Sequence, residues 1–125
     1  MNVKWSPHAE ELLGEIIDGI AYRLYPEDAI RWNDKIIHDT NQLADCPELG
    51  VVVPATAFAF VPPNHDRLRQ LIIKPYRAVY EQLDGEIHIL SVRHCRQLLR
   101  ETDTFWNDAP DEDFGADPDD LIYRS

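Results

Sequence analysis

Cysteine is almost missing from this chain of 125 residues, which has only Cys46 and Cys95. Their separation fits no metal-binding or redox spacing, so they read as two reduced thiols rather than a disulfide or a zinc site. Long apolar runs are missing too. None approaches the roughly 20 residues that a membrane-spanning helix requires, and the polar N-terminus does not resemble a signal peptide. A soluble, cytoplasmic protein with no membrane partner is expected. Positive charge is scarce, with 12 Lys and Arg against 23 Asp and Glu. The length suits a single domain with one modest core.

The scarcity of positive charge is uneven. Residues 1–60 carry 4 basic and 10 acidic side chains, residues 61–100 carry 7 and 4, and residues 101–125 carry 1 and 9, which accounts for the net charge of −11. A basic island therefore sits inside an acidic protein, and a local patch can hold an anionic partner whatever the net figure.

Asn2 to Trp5 reads as a short strand. Ser6 is placed to cap a helix with Pro7 at its first position. The apolar residues Ala9, Leu12, Leu13, Ile16, Ile17, Ile20, Ala21 and Leu24 then recur at three and four, the pattern of an amphipathic helix. Pro26 restarts a helix whose stripe runs through Ala29, Trp32, Ile36, Ile37, Thr40, Leu43 and Ala44 until Pro47 stops it. So short a connection predicts an antiparallel helical hairpin, packed on a sheet. Residues 51–63 form an apolar stretch that is either an edge strand or a flap over the sheet. Phe58 and Phe60 suit filling the space beneath it better than stacking on nucleobases.

The most informative stretch runs from Arg67 to Arg100. Leu68 to Ile73, Tyr76 to Leu83 and Glu86 to Val92 read as three strands, and Asp84-Gly85 supplies the positive φ angles of a two-residue hairpin turn. Taken literally, that turn sets Leu83 opposite Glu86, Glu81 opposite His88, Val79 opposite Leu90 and Arg77 opposite Val92. Tyr76, Ala78, Tyr80, Ile87 and Ile89 then share the core face. Arg77, Glu81, His88 and His94 share the other, with Arg77 and His94 close together at one end as a candidate site. Gln97 to Arg100 suits a short helical turn. Residues 101–125 are expected to form an acidic tail, either solvated and flexible or folded back over the basic face through its carboxylates and Phe105, Trp106, Phe114 and Tyr123.

Several motifs occur in a telling order: W-S-x-x-A at Trp5, Ser6 and Ala9, P-E-L-G at Pro47 to Gly50, then R-x-L-I-I-K-P-Y-R-A-V-Y, the D-G turn and I-x-I-L-S-V-R-H-C-R. Over about the first hundred residues the chain resembles the RelE/ParE superfamily of toxins. The resemblance implies an α+β fold of order β-α-α-β-β-β, in which a helical hairpin packs on a small antiparallel sheet. It also implies a cognate antitoxin as partner. Three functions follow: a ParE-like inhibitor of DNA gyrase, a RelE-like endonuclease acting on messenger RNA at the ribosome, or an inactive binding module. The long hairpin and the ending around His94 resemble the ParE side.

The resemblance to RelE-like nucleases implies a metal-free and cofactor-free route for the second reading. Such a route needs a base, an acid and a cation for the phosphorane charge. Arg77 matches the strand arginine that holds the phosphate, His94 matches a terminal titratable position, and Glu81 is the carboxylate on their face. Arg67, Arg69, Lys74, Arg93 and Arg96 are then the contacts to the phosphate backbone. Without catalysis, Arg77 bridges to an acidic neighbour and Glu81 pairs with His88 across the strands.

Overall fold

A computed structural model of the chain describes residues 1–108. Strand β1 (Asn2–Trp5) leads into helices α1 (Pro7–Arg23) and α2 (Pro26–Asn41), followed by strands β2 (Val51–Val52), β3 (Arg69–Ile73), β4 (Tyr76–Leu83) and β5 (Glu86–His94). The five strands form one sheet in the order β1-β5-β4-β3-β2. Neighbours are antiparallel except β1, which runs parallel to β5. The α+β architecture expected from the sequence is the one observed.

Local chemistry explains the helical hairpin. The Ser6 hydroxyl accepts the Ala9 N–H at 3.0 Å, satisfying an amide that the first turn leaves without a partner. Ala9, Leu12, Leu13 and Ile20 are buried, but Ala21 and Leu24 at the end of the expected stripe are exposed. Helix α2 ends at Asn41, and residues 42–44 tighten into a 3₁₀ turn that buries Leu43.

The sheet has a core on each side. Towards the helices, Ala78, Tyr80, Ile87, Ile89 and Val92 pack on Ala9, Leu13, Ile36 and Leu43. On the reverse side Val79 and Leu90 pack with Val53, Ala57, Phe58, Leu68 and Leu99. Residues 51–63 therefore serve as both alternatives posed above, a two-residue edge strand and then a cover. Phe58 fills that second core, whereas Phe60 is exposed. The expected helical turn at Gln97 to Arg100 is replaced by an extended segment in which Leu99 bridges to Phe58, and the helical turn falls at Glu101–Asp103.

The hairpin turn has the expected positive φ at Asp84 (54°) and Gly85 (75°). Leu83 pairs with Glu86 and Glu81 with His88, as the turn dictates, but Val79 then pairs with Ser91 and Arg77 with Arg93. Leu90 is an extra residue, a β-bulge, and beyond it every side chain of β5 changes sides. Val92 and His94 move to the helix side, and Arg93 moves to the side of Arg77. The expected shared face for Arg77 and His94 is thereby corrected.

The first residues of the expected tail pack in part on the sheet and α1. Asp103 and Thr104 are buried and Trp106 packs on the second core. Phe105 is exposed, and Phe114 and Tyr123, the remaining aromatics of the expected fold-back, lie outside the described residues.

Candidate functional site

Arg77, set in the middle of the sheet by the pairing of β3 and β4, is buried. Its guanidinium donates to Gln70 Oε1 at 3.3 Å and to the backbone carbonyl of Gln97, so the acidic bridge considered above does not form. Its Nε is buried with no partner among the described residues. Burial pushes the guanidinium pKa down from its ordinary value, opposed by the fields of Cys95 and Asp103. An arginine so enclosed ties two segments together and has no open side for a substrate.

Glu81 is likewise buried. Its cross-strand neighbour His88 turns to Glu86 instead, with Nε2 3.2 Å from that carboxylate, and its ring packs on Trp106 at 4.9 Å between centroids. The expected pair between Glu81 and His88 is absent. Lys4 completes the arrangement at 2.9 Å from Glu86, and these two hydrogen bonds hold the Glu86 carboxyl below its usual range.

Arg93 is committed as well. Its Nε donates to both Asp103 oxygens at 3.1 and 3.2 Å, the Arg100 N–H donates to the same carboxylate at 2.9 Å, and His8 Nε2 lies 2.8 Å from it. His8 and Asp103 are fully buried. Burial alone would raise the Asp103 pKa, but the His8 hydrogen bond and the Arg93 charge lead the effects that outweigh it and hold the carboxyl below its ordinary value.

His94 stands apart on the helix side, opposite Tyr76. Its ring meets the Tyr76 ring edge-on at 5.8 Å, and Tyr76 meets Trp32 in the same way at 5.4 Å. His94 Nδ1 accepts the Arg96 N–H at 3.1 Å, which leaves Nε2 to carry the proton of the neutral ring. His94, Arg93 and Arg96 line a groove of about 430 Å³ between α1 and the ends of β4 and β5. Its apolar part is Leu12, Ile16, Tyr76 and Val92, and its polar part adds Arg23, Gln97 and Glu15. Burial raises the Tyr76 pKa, and the positive charge of Arg23 opposes that rise.

With Arg93 neutralised by Asp103, the described part of the groove sets Arg23, Arg96 and a histidine against one carboxylate, over an apolar floor. It suits an anionic or amphipathic ligand. Of the residues singled out in the sequence, the groove gathers His94, Arg93 and Arg96. Arg67 and Lys74 are exposed elsewhere, and Arg69 donates to the Gly50 carbonyl at 2.8 Å. Sequence reasoning missed Tyr76 and Arg23, because the bulge that turns β5 towards them was not seen.

The profile of the ParE toxin of type II toxin-antitoxin system, parDE, matches residues 3–99. This chain belongs to the ParE toxin family. Membership makes it a type II toxin, as the ordered motifs suggested. The fold agrees: a solved structure described as the chromosomal ParDE TA system from P. aeruginosa superimposes with a TM-score of 0.60 at 23% identity, covering 75% of this chain and 95% of that one. Curated proteins offer no match. Within this ParE-family domain the matched segment ends at Leu99, so the Asp103 anchor and the acidic residues after it lie beyond the matched residues.

Proposed function

We propose that this ParE-family toxin inhibits DNA gyrase by binding, cleaves no RNA, and is neutralised by a cognate antitoxin. One observation carries the choice: the residues that a metal-free cleavage would need are on opposite sides of the sheet. Arg77 is enclosed between Gln70 and Gln97, and His94 stands against Tyr76 in the helix-side groove. Catalysis requires base, cation and acid around one reacting phosphate. The groove offers charge and apolar surface for recognition, so His94, Arg96 and Arg23 are assigned there as binding residues. The antitoxin partner follows from family membership and from the paired system named for the structural neighbour.

The test uses purified protein with gyrase and plasmid DNA. Loss of supercoiling and accumulation of gyrase-linked double-strand breaks are expected, while primer extension on RNA from expressing cells finds transcripts intact. Cut transcripts with unimpaired supercoiling would overturn the reading in favour of the nuclease.

A further inference from the structure

We propose that the helix-side groove is a docking site for the chain's own acidic segment, residues 109–125. Three observations converge on this occupant. The first is charge. The segment carries six carboxylates, at Asp111, Glu112, Asp113, Asp117, Asp119 and Asp120, against one arginine at position 124. The groove offers the charges of Arg23 and Arg96 and the N–H of His94, and among the described residues that line it Glu15 is the one carboxylate, with Arg93 already neutralised by Asp103. Charge of opposite sign on partly desolvated surfaces attracts far more than it does in open water.

The second is apolar complementarity. Phe114 and the Leu121-Ile122-Tyr123 run punctuate the carboxylates, and the groove floor is Leu12, Ile16, Tyr76 and Val92. A purely electrostatic tether needs neither set of apolar residues.

The third is position. The carbonyl of Asn107 accepts the His8 N–H at 3.3 Å, so the chain arrives beside the first turn of α1. Arg93, anchored to Asp103 beside His8, lines the groove. From His8 to Arg23 the helix rises about 23 Å, at roughly 1.5 Å per residue. The 17 residues after Asp108 can extend about 56 Å, at roughly 3.3 Å each, more than enough to follow α1 past Arg23. A segment held so near its site competes at an effective concentration of order millimolar, so even weak contacts keep the groove occupied.

Docking is a property of this chain alone. Its role as a brake on the toxin rests on the gyrase reading, and the test below does not involve gyrase. The full-length chain is prepared in native form and with all six carboxylates of residues 109–125 replaced by Asn or Gln. A fluorescent peptide of native sequence 109–125 is then titrated into each. The neutralised chain is expected to bind the peptide, and the native chain to bind it at least tenfold more weakly because its own segment competes. Adding Arg23→Glu and Arg96→Glu to the neutralised chain should remove binding, as should 0.5 M NaCl. Both arginines are exposed, and circular dichroism confirms the fold of each variant. Failure of the neutralised chain to bind, equal affinity for both chains, or indifference to the two arginine substitutions would overturn the proposal. Competition that disappears when the native chain is diluted would place the segment on a second copy and overturn the intrachain assignment.

Discussion

At the scale of single residues, Arg77 shows how a side chain suited to chemistry becomes a structural strut. Replacing it by methionine orphans the Gln70 amide oxygen and the Gln97 carbonyl. Each unsatisfied buried acceptor costs on the order of 1–3 kcal/mol. Arg77→Met should therefore lower the urea midpoint by the equivalent of about 2 kcal/mol, while the folded fraction inhibits gyrase as the native protein does. A phosphate-binding catalytic arginine predicts the reverse, with stability kept and activity lost. The two measurements together decide which arginine this is.

At the scale of elements, the P-E-L-G motif owes its place to β4. The Tyr80 hydroxyl donates to the Pro47 carbonyl at 2.6 Å and accepts the Gly50 N–H at 3.0 Å. A Cβ at Gly50 would lie 2.6 Å from the Gln70 carbonyl oxygen, so only glycine fits this approach of turn to sheet. Tyr80→Phe leaves both groups unpaired in the core and should cost about 2 kcal/mol, read as a fall in thermal midpoint. An unchanged midpoint would mean that water or a shifted turn takes over both bonds.

Strand and helix boundaries were legible because their signals are local: the Ser6-Pro7 start, the Pro26 restart and the Asp84-Gly85 bend. The bulge was harder to read. With apolar cores on both sides of the sheet, the neighbours Ile89 and Leu90 are both buried and apolar though they face opposite ways, and simple alternation carries little weight there. A trace of it is present nonetheless, since the helix-side residues are Ile87, Ile89 and Val92, a step of two and then of three. The burial of Asp103 left no such trace. In composition it is one more acidic residue of a tail, and only the fold shows Arg93 and His8 waiting for it.

At the scale of the whole molecule, Asp103 joins α1, β5 and the C-terminal turn in one buried cluster. Removing one partner of a buried ion pair costs about 3–5 kcal/mol, and Asp103→Ala should destabilise the protein by that order. The pH dependence follows from the depressed pKa of this carboxyl. Its ordinary value is about 3.9, and the folded state holds it lower. The stability it supplies is therefore complete above that ordinary value and is lost as pH falls through the folded one. Urea midpoints measured from pH 7 downward should show the gap between native and Asp103→Ala proteins holding steady to about pH 4 and then closing. A gap that stays constant in acid would mean that Asp103 acts through packing rather than charge.

The parallel pairing of β1 with β5 sets Asn2 beside Glu86, so β1 finds its place only next to the last strand among the described residues. Contacts between residues so distant in sequence form late and slowly. During translation the leading strand emerges from the ribosome long before its neighbour exists, and the sheet stays open until nearly all of the domain has been made. The cell that makes this toxin meets it fully formed only after synthesis, an interval in which a waiting antitoxin can engage it first.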